Sequence, residues 1–167
     1  MTGHILVAYA SRKGSTAGIA QAIGRELQSA GHSIDVIEMK TVSTLEGWDA
    51  VVAGAPVYMG KVDKDLSKFV AKNRDRLASI PVAAFAVGIA PVAPDIEPVD
   101  KVIDDLRQAL SPVQPIATAV FAGRLDPERM SFVERQMVRM LKVRTGDFRD
   151  WNIIAAWAKE LPGKMGM

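Results

Sequence analysis

The chain contains no cysteine. That excludes disulfides, thiolate catalysis and Cys-ligated metal or iron–sulfur centres. Aromatic residues are scarce, at 6%, and are not interleaved with the basic ones. The formal net charge is only +2. The usual footprint of a nucleic-acid-binding protein is therefore missing, and no nucleic acid is expected as partner. No run is long and apolar enough to span a bilayer. The N-terminus lacks the basic, apolar and small-residue order of a secretory signal, so a cytoplasmic location is expected. Two phosphate-loop signatures are absent as well. The P-loop needs G-x-x-x-x-G-K-[ST], whereas here Lys13 precedes Gly14; the dinucleotide fingerprint G-x-G-x-x-G does not occur at the first turn.

What is present is an alternation of strand and helix patterns. About half of the 167 residues are apolar and 24% are charged, enough for one domain, 1–167, with a sizeable core. A first strand is predicted over Ile5 to Ala10 and a helix from Thr16 to Ala30, with Ile19, Ile23 and Leu27 as its buried stripe and Gly31 as its stop. A strand over Ser33 to Met39 carries Asp35 and Glu38 and belongs at a sheet edge. Ala50 to Ala55 reads as a central strand ending in a loop, Pro56 to Lys61. Helix then spans Asp63 to Leu77, strand Val82 to Gly88, helix Val99 to Leu110 with Ile103, Leu106 and Leu110 inward, and strand Pro115 to Phe121. A helical pattern covers Pro127 to Arg144. The last helix runs from Asp150 to Leu161, burying Trp151, and Pro162 and Gly163 stop it. His4 and His32 read as surface residues. Five alternations predict an α/β three-layer sandwich with a parallel sheet of order 2-1-3-4-5 and an extra amphipathic segment before the last helix. Ligands of such sheets sit at the carboxyl ends of the strands.

The loop after the first strand is Ser11-Arg12-Lys13-Gly14-Ser15-Thr16. A helix start presents free backbone N–H groups to an anion; the hydroxyls of Ser11, Ser15 and Thr16 add donors, and Arg12 and Lys13 add charge. An alternative is that Ser15 or Thr16 merely caps the helix. The phosphoacceptor receiver domain shares this topology. It needs acids where this chain has Ala10-Ser11 and Ala55-Pro56, and it is dropped.

Ser11, Gly14 and Thr16 resemble the flavodoxin phosphate loop, [ST]-x-T-G-x-T, which holds the phosphate of FMN. Lys13 stands where threonine is usual, and Arg12 and Lys13 bring cations that electron-carrying flavodoxins generally lack. A second resemblance is Tyr58-Met59-Gly60, where some flavodoxins carry Met-Gly beside flavin N5. The resemblance implies a flavodoxin-like fold, FMN as cofactor, and a ring site over Pro56, Val57, Tyr58, Met59, Gly60 and Lys61 and over Val87, Gly88, Ile89, Ala90 and Pro91. The last of these loops has no aromatic, which leaves that flavin face open. Lys61 is the cation that would raise the flavin potential.

Pro127 to Arg144 has an apolar stripe, Met130, Val133, Met137 and Leu141, widened by Phe132 and Met140, against Arg129, Arg135, Arg139, Lys142 and Arg144. It suits a membrane surface at 127–144 or a protein groove; the plainer reading is a core-facing helix with a solvated basic face. The whole chain resembles the menaquinone-dependent protoporphyrinogen dehydrogenases of haem biosynthesis, on the first loop, Phe69-Val70-x-Lys72, Arg76-Leu77-x-Ser79-x-Pro81, Ala122-Gly123, Gly146-Asp147, Asp150-Trp151 and Ala158-x-Glu160-Leu161. That resemblance implies an FMN-dependent oxidoreductase with a porphyrinogen substrate and a quinone partner, peripheral at the inner face of the membrane. Arg124, Arg129 and Arg135 would then meet the propionates. The rivals are a soluble flavodoxin-type electron carrier, whose basic helix docks a redox protein, and a flavin-free interaction domain.

Overall fold

The computed structural model describes residues 2–12 and 14–167. Along the chain run β1 (His4–Tyr9), α1 (Ser15–Ser29), β2 (Ser33–Glu38), β3 (Ala50–Tyr58), β4 (Lys61–Val62), α2 (Lys64–Lys72), α3 (Arg74–Leu77), β5 (Val82–Gly88) and α4 (Val99–Leu110). There follow β6 (Ala117–Ala122), β7 (Arg124–Leu125), α5 (Phe132–Met140), β8 (Gly146–Asp147) and α6 (Trp151–Lys164). The main sheet is ordered β2-β1-β3-β5-β6 and its four ladders are parallel. With the two-residue β4 set aside, this is the expected order 2-1-3-4-5, and β2 is the predicted edge.

Strand alternation sends successive side chains to opposite faces. On one face Leu6, Val51, Ala53 and Ala84 pack against Leu66, Phe69 and Val70 of α2 and Val102, Leu106 and Leu110 of α4. On the other, Ile5, Val7, Val52 and Phe85 pack against Ile19, Ile23 and Leu27 of α1 and Ile154, Ala158 and Leu161 of α6. Burial on both faces explains why the central strands read as unbroken apolar runs. α1 closes on a Schellman pair: Gly31, at φ +99°, donates to the Gln28 carbonyl, and His32 to that of Leu27.

Several expectations need correction. β3 continues through Pro56, Val57 and Tyr58, because β4 pairs antiparallel with Val57 and Tyr58. The helix over 63–77 breaks at Asn73, whose buried side chain donates to the Phe69 carbonyl at 2.9 Å. Val102, not Ile103, takes the inward position of α4. α6 runs through Pro162 and Gly163 to Lys164; the burial of Leu161 and Met165 holds its last turn on the sheet despite the proline. Trp151 is 44% exposed at the start of α6, with Arg149 stacked 4.7 Å over its ring. Nor is His32 a surface residue: it is buried and its Nδ1 accepts from Gly3. His4 Nε2 meets the Asp35 carboxylate at 2.6 Å, and the Trp48 indole donates to the same oxygen at 2.9 Å, which fastens the β2 edge.

Gly54 of β3 sits opposite Phe85 of β5. A Cβ there would lie 2.0 Å from the end of the Phe85 ring, which is fully buried and packs edge to face with Trp157 at 6.1 Å. The ring has no room to move. Gly54→Ala is expected to cost about 1–3 kcal/mol by overpacking, seen as a lower urea midpoint with an unchanged slope.

Candidate functional site

β1 delivers the chain to the loop at its carboxyl end, where the Ala10 N–H donates to the Gly54 carbonyl at 2.9 Å. Ser11 Oγ accepts from the Gly14 N–H at 3.1 Å and closes the turn. Gly14 is the N-cap of α1, left-handed at φ +85°, and no side chain among the described residues caps the helix. Ser15 and Thr16 are its first helical residues, so the plain capping role does not fall to them. The N–H groups of the first turn have no acceptor within the helix. Ser15 and Thr16 line a cavity of about 100 Å³ at the strand ends. Lys13 lies outside the described residues. Arg12 also lines this cavity; its Nε donates to Asp63 Oδ2 at 3.1 Å, and its guanidinium lies 4.8 Å from the centre of the Tyr58 ring.

Two arginines from further along the chain reach this loop. A Cβ on Gly14 would stand 3.0 Å from Arg129 Nη1 and 3.8 Å from Arg124 Nη2. Both also line the cavity, whereas Arg135 lines only a separate surface cleft along α5. β7 and β8 fix this arrangement by pairing Arg124 with Asp147 and Leu125 with Gly146. Behind them the Asp147 carboxylate accepts from the Arg149 guanidinium at 2.9 and 2.7 Å and from the Arg149 backbone N–H at 3.2 Å. That hydrogen bonding holds the Asp147 carboxyl below its ordinary value, with Arg124 adding to the effect. Gly18 of α1 admits the Arg149 guanidinium, which would be 2.8 Å from a Cβ there.

Beyond the loop, Pro56, Val57 and Tyr58 from β3 and Val87, Gly88 and Ile89 from the end of β5 line the same cavity. Val57, Tyr58 and Ile89 continue into a second cavity of about 340 Å³, where Met59, Gly60, Ile96, Glu97 and the inner side of α5 join them. Met59 and Gly60 form the β3–β4 turn at φ +51° and +77°, the signature of a type I′ hairpin. Lys61 is exposed and lines neither cavity; Lys101 is the lysine at the larger one. Ala90 is fully buried beneath the loop, and Pro91 is exposed outside both cavities. Burial, together with a hydrogen bond to the Glu134 carboxylate, pushes the Tyr58 phenol above its ordinary pKa, while Ser131 and Arg12 pull it down.

α5 starts on a capping box between Ser131 and Glu134. None of its residues is buried, so the core-facing reading fails. Met130, Glu134, Met137, Val138 and Leu141 form the roof of the larger cavity. Val133, expected in the inward stripe, points outward with Phe132 and Met140; these are 60%, 71% and 79% exposed. Sequence reasoning also missed Glu97, whose Oε1 is buried without a hydrogen-bond partner. The only signal in the sequence was an acid just before the proline that opens α4.

A helix start with no side-chain cap among the described residues, at the switch point of a parallel sheet and beside a slot framed by the next two strand ends, is where such α/β proteins hold a phosphate-bearing ligand. The chain belongs to the flavodoxin domain family, whose profile matches residues 6–152. It is 27% identical over 169 residues to the protoporphyrinogen IX dehydrogenase (quinone) of Escherichia coli K12, covering 93% of each chain. In structure it resembles a flavodoxin of Streptococcus pneumonia TIGR4, with TM-score 0.61, 16% identity, and 96% and 99% of the two chains covered. An archaeal flavodoxin gives TM-score 0.58, 17% identity, and 98% and 99% coverage. No helix among the described residues is long and apolar enough to cross a membrane.

Met59 is a non-glycine residue held in the left-handed region, and it is 53% exposed. Asparagine tolerates that conformation, and Asn-Gly is the preferred type I′ pair. Met59→Asn is expected to stabilise the flavin-free chain by about 1 kcal/mol, measured by urea unfolding.

Proposed function

We propose that this chain is an FMN-dependent oxidoreductase that oxidises a reduced organic substrate of the porphyrinogen type and passes the electrons to a quinone. The observation that carries this reading is the roof. α5 encloses an apolar cavity of about 340 Å³ beside the strand ends that would hold the flavin ring. An electron carrier needs an open flavin edge for a protein partner; a roofed cavity suits a small organic reactant. The E. coli relative named above, matched over 93% of each chain, supports the same reaction class.

The residues fit FMN. A Cβ on Gly14 would stand 3.0 Å from Arg129 Nη1, and one on Gly123 would stand 2.9 Å from Val87 Cγ1 and 3.3 Å from Ser15 Oγ, so both glycines let the strand ends pack closely around the first loop. The hydroxyls of Ser11, Ser15 and Thr16 and the first-turn N–H groups of α1 would bind the phosphate, and Arg124 and Arg129 would neutralise it. Pro56 to Gly60 and Val87 to Ile89 would hold the ring, with Arg12 fixing Tyr58 rather than touching the phosphate. FMN supplies the hydride and electron transfer; the protein supplies position and electrostatics. The outer side of α5, with Phe132, Val133 and Met140 exposed near Arg135, Arg139 and Lys142, suits the surface of an anionic membrane that holds the quinone.

Titration of the flavin-free protein with FMN and with phosphate-free riboflavin tests the cofactor site. The double variant Arg124→Ala/Arg129→Ala should weaken FMN tenfold or more, since a charged hydrogen bond is worth about 1.5–3 kcal/mol, while riboflavin affinity barely changes. Equal loss for both ligands would remove the arginines from the phosphate site. Anaerobic mixing of the flavin-loaded protein with protoporphyrinogen and a naphthoquinone should give flavin-dependent turnover; none, with flavin bound, leaves the electron carrier. Co-sedimentation with anionic lipid vesicles should fall severalfold on Phe132→Ser/Met140→Ser. Unchanged sedimentation would free α5 from any membrane role.

A further inference from the structure

We propose that the larger cavity seats the quinone head group and that the Glu97 carboxyl is its hydrogen-bond partner and proton donor. This rests on the oxidoreductase reading above and adds the place and chemistry of the acceptor.

The cavity is about 340 Å³, at the small end of the roughly 300–1,000 Å³ that ligand cavities span. Its walls are chiefly apolar: Ile89, Ile96, Leu125, Met137, Val138 and Leu141 contribute most of them. Methionine side chains adapt readily to a flat ring. The cavity touches Tyr58, Met59 and Gly60 and continues into the slot at the ends of β3 and β5, so its occupant lies against the expected flavin.

Among the described residues, Glu97 is the one acid on the α4 side of the cavity. Its Oε1 is buried with no hydrogen-bond partner, 3.3 Å from where a Cβ on Gly88 would stand. Buried polar atoms are rarely left this way, and each such orphan asks for an explanation. Glu97 itself lines the cavity, so a turn of its carboxyl would bring that oxygen to a ligand there. The groups facing Glu97 are Lys101 and Asp105 on α4, with Glu134 on α5 and Tyr58 on β3 across the cavity. Lys101 is engaged by Asp105 at 2.7 Å and is not paired with Glu97. Burial raises the carboxyl above its ordinary value; Lys101 opposes this and Asp105 adds to it. The acid form, which can donate, is thereby favoured.

The charge selects the occupant. A porphyrinogen brings propionates, which the Glu134 carboxylate would repel. A neutral quinone has no such conflict. It offers one carbonyl oxygen as an acceptor, and it needs two electrons and two protons to become the quinol. Two electrons and one proton would come, as a hydride equivalent, from a reduced flavin held at the ends of β3 and β5. The second proton leaves the Glu97 carboxyl for the quinone oxygen, and Glu97 then regains a proton from solvent.

The test uses the flavin-loaded protein and 2-methyl-1,4-naphthoquinone, with bound flavin measured in every sample by absorbance. Calorimetric titration should show that Val138→Trp, or Met137→Trp as a second filling variant, weakens quinone binding about tenfold or more. Glu97→Gln should keep the affinity within about threefold, because the amide still donates a hydrogen bond. Its quinone reduction rate should fall about a hundredfold, as loss of a general acid does. In the wild type the rate should fall as pH rises through the raised Glu97 value, and Glu97→Gln should abolish that limb. If both tryptophan variants bind quinone normally, or the limb survives in Glu97→Gln, the inference is overturned. If the wild type binds no flavin, it is the oxidoreductase reading that fails instead.

Discussion

The backbone amides at the start of α1 impose the first condition on this molecule. Gly14 has no side chain to cap them, and its left-handed conformation admits no ordinary residue without strain. They open at the carboxyl ends of parallel strands, where the crossovers diverge and the sheet leaves a crevice. An anion is the natural complement to such a helix end. Two arginines from beyond β6 are brought to the same glycine, so local and remote parts of the chain converge on one point. Arg124 arrives because β7 pairs with β8, and β8 is held by the Asp147–Arg149 pair against α1.

Where burial decides an element, the sequence reads well. β5 and α4 have the bounds expected of them, because an apolar run between Pro81 and Gly88 admits few other arrangements and Pro98 opens the helix. The parallel order followed from the alternation and from handedness alone. Where a distant partner decides, the local pattern misleads. Pro56-Val57-Tyr58 looks like a loop, since proline cannot serve a central ladder. In the fold those residues lie beyond β1, and β4 gives Val57 and Tyr58 their partners. Asn73 reads as mid-helix until its side chain competes for the Phe69 carbonyl.

The site divides in the same way. The position of Ser11, Gly14, Ser15 and Thr16 at the carboxyl end of β1 was legible because a loop after a first strand has a fixed place in the topology. Arg124 and Arg129 were visible as cations, but nothing local says that they fold back to the first loop. Glu97 could not be found at all: an acid before a helix is common, and only the fold brings its oxygen against Gly88, away from water. α5 shows the limit of periodicity. Its apolar residues are spaced like those of a core helix, yet the side it turns inward meets a cavity, and the side it turns outward keeps Phe132 and Met140 in solvent.

That two-sided helix ties the parts together. Exposed apolar groups on its outer side gain α5 no burial, and a roof resting on a cavity recovers little burial energy for the helix itself. The segment is held instead by its ends: Arg124 and Leu125 at the start, Gly146 and Asp147 at the finish, and Glu134 to Tyr58 between them. A lid attached this way can carry adaptable methionines on its inner side and apolar groups outside without compromising the core. It also links the phosphate end to the ring end, since Arg129 and Glu134 belong to one short stretch and serve the two ends of the crevice. A ligand that fills the crevice would therefore brace the roof at the moment it completes the charge balance at Gly14.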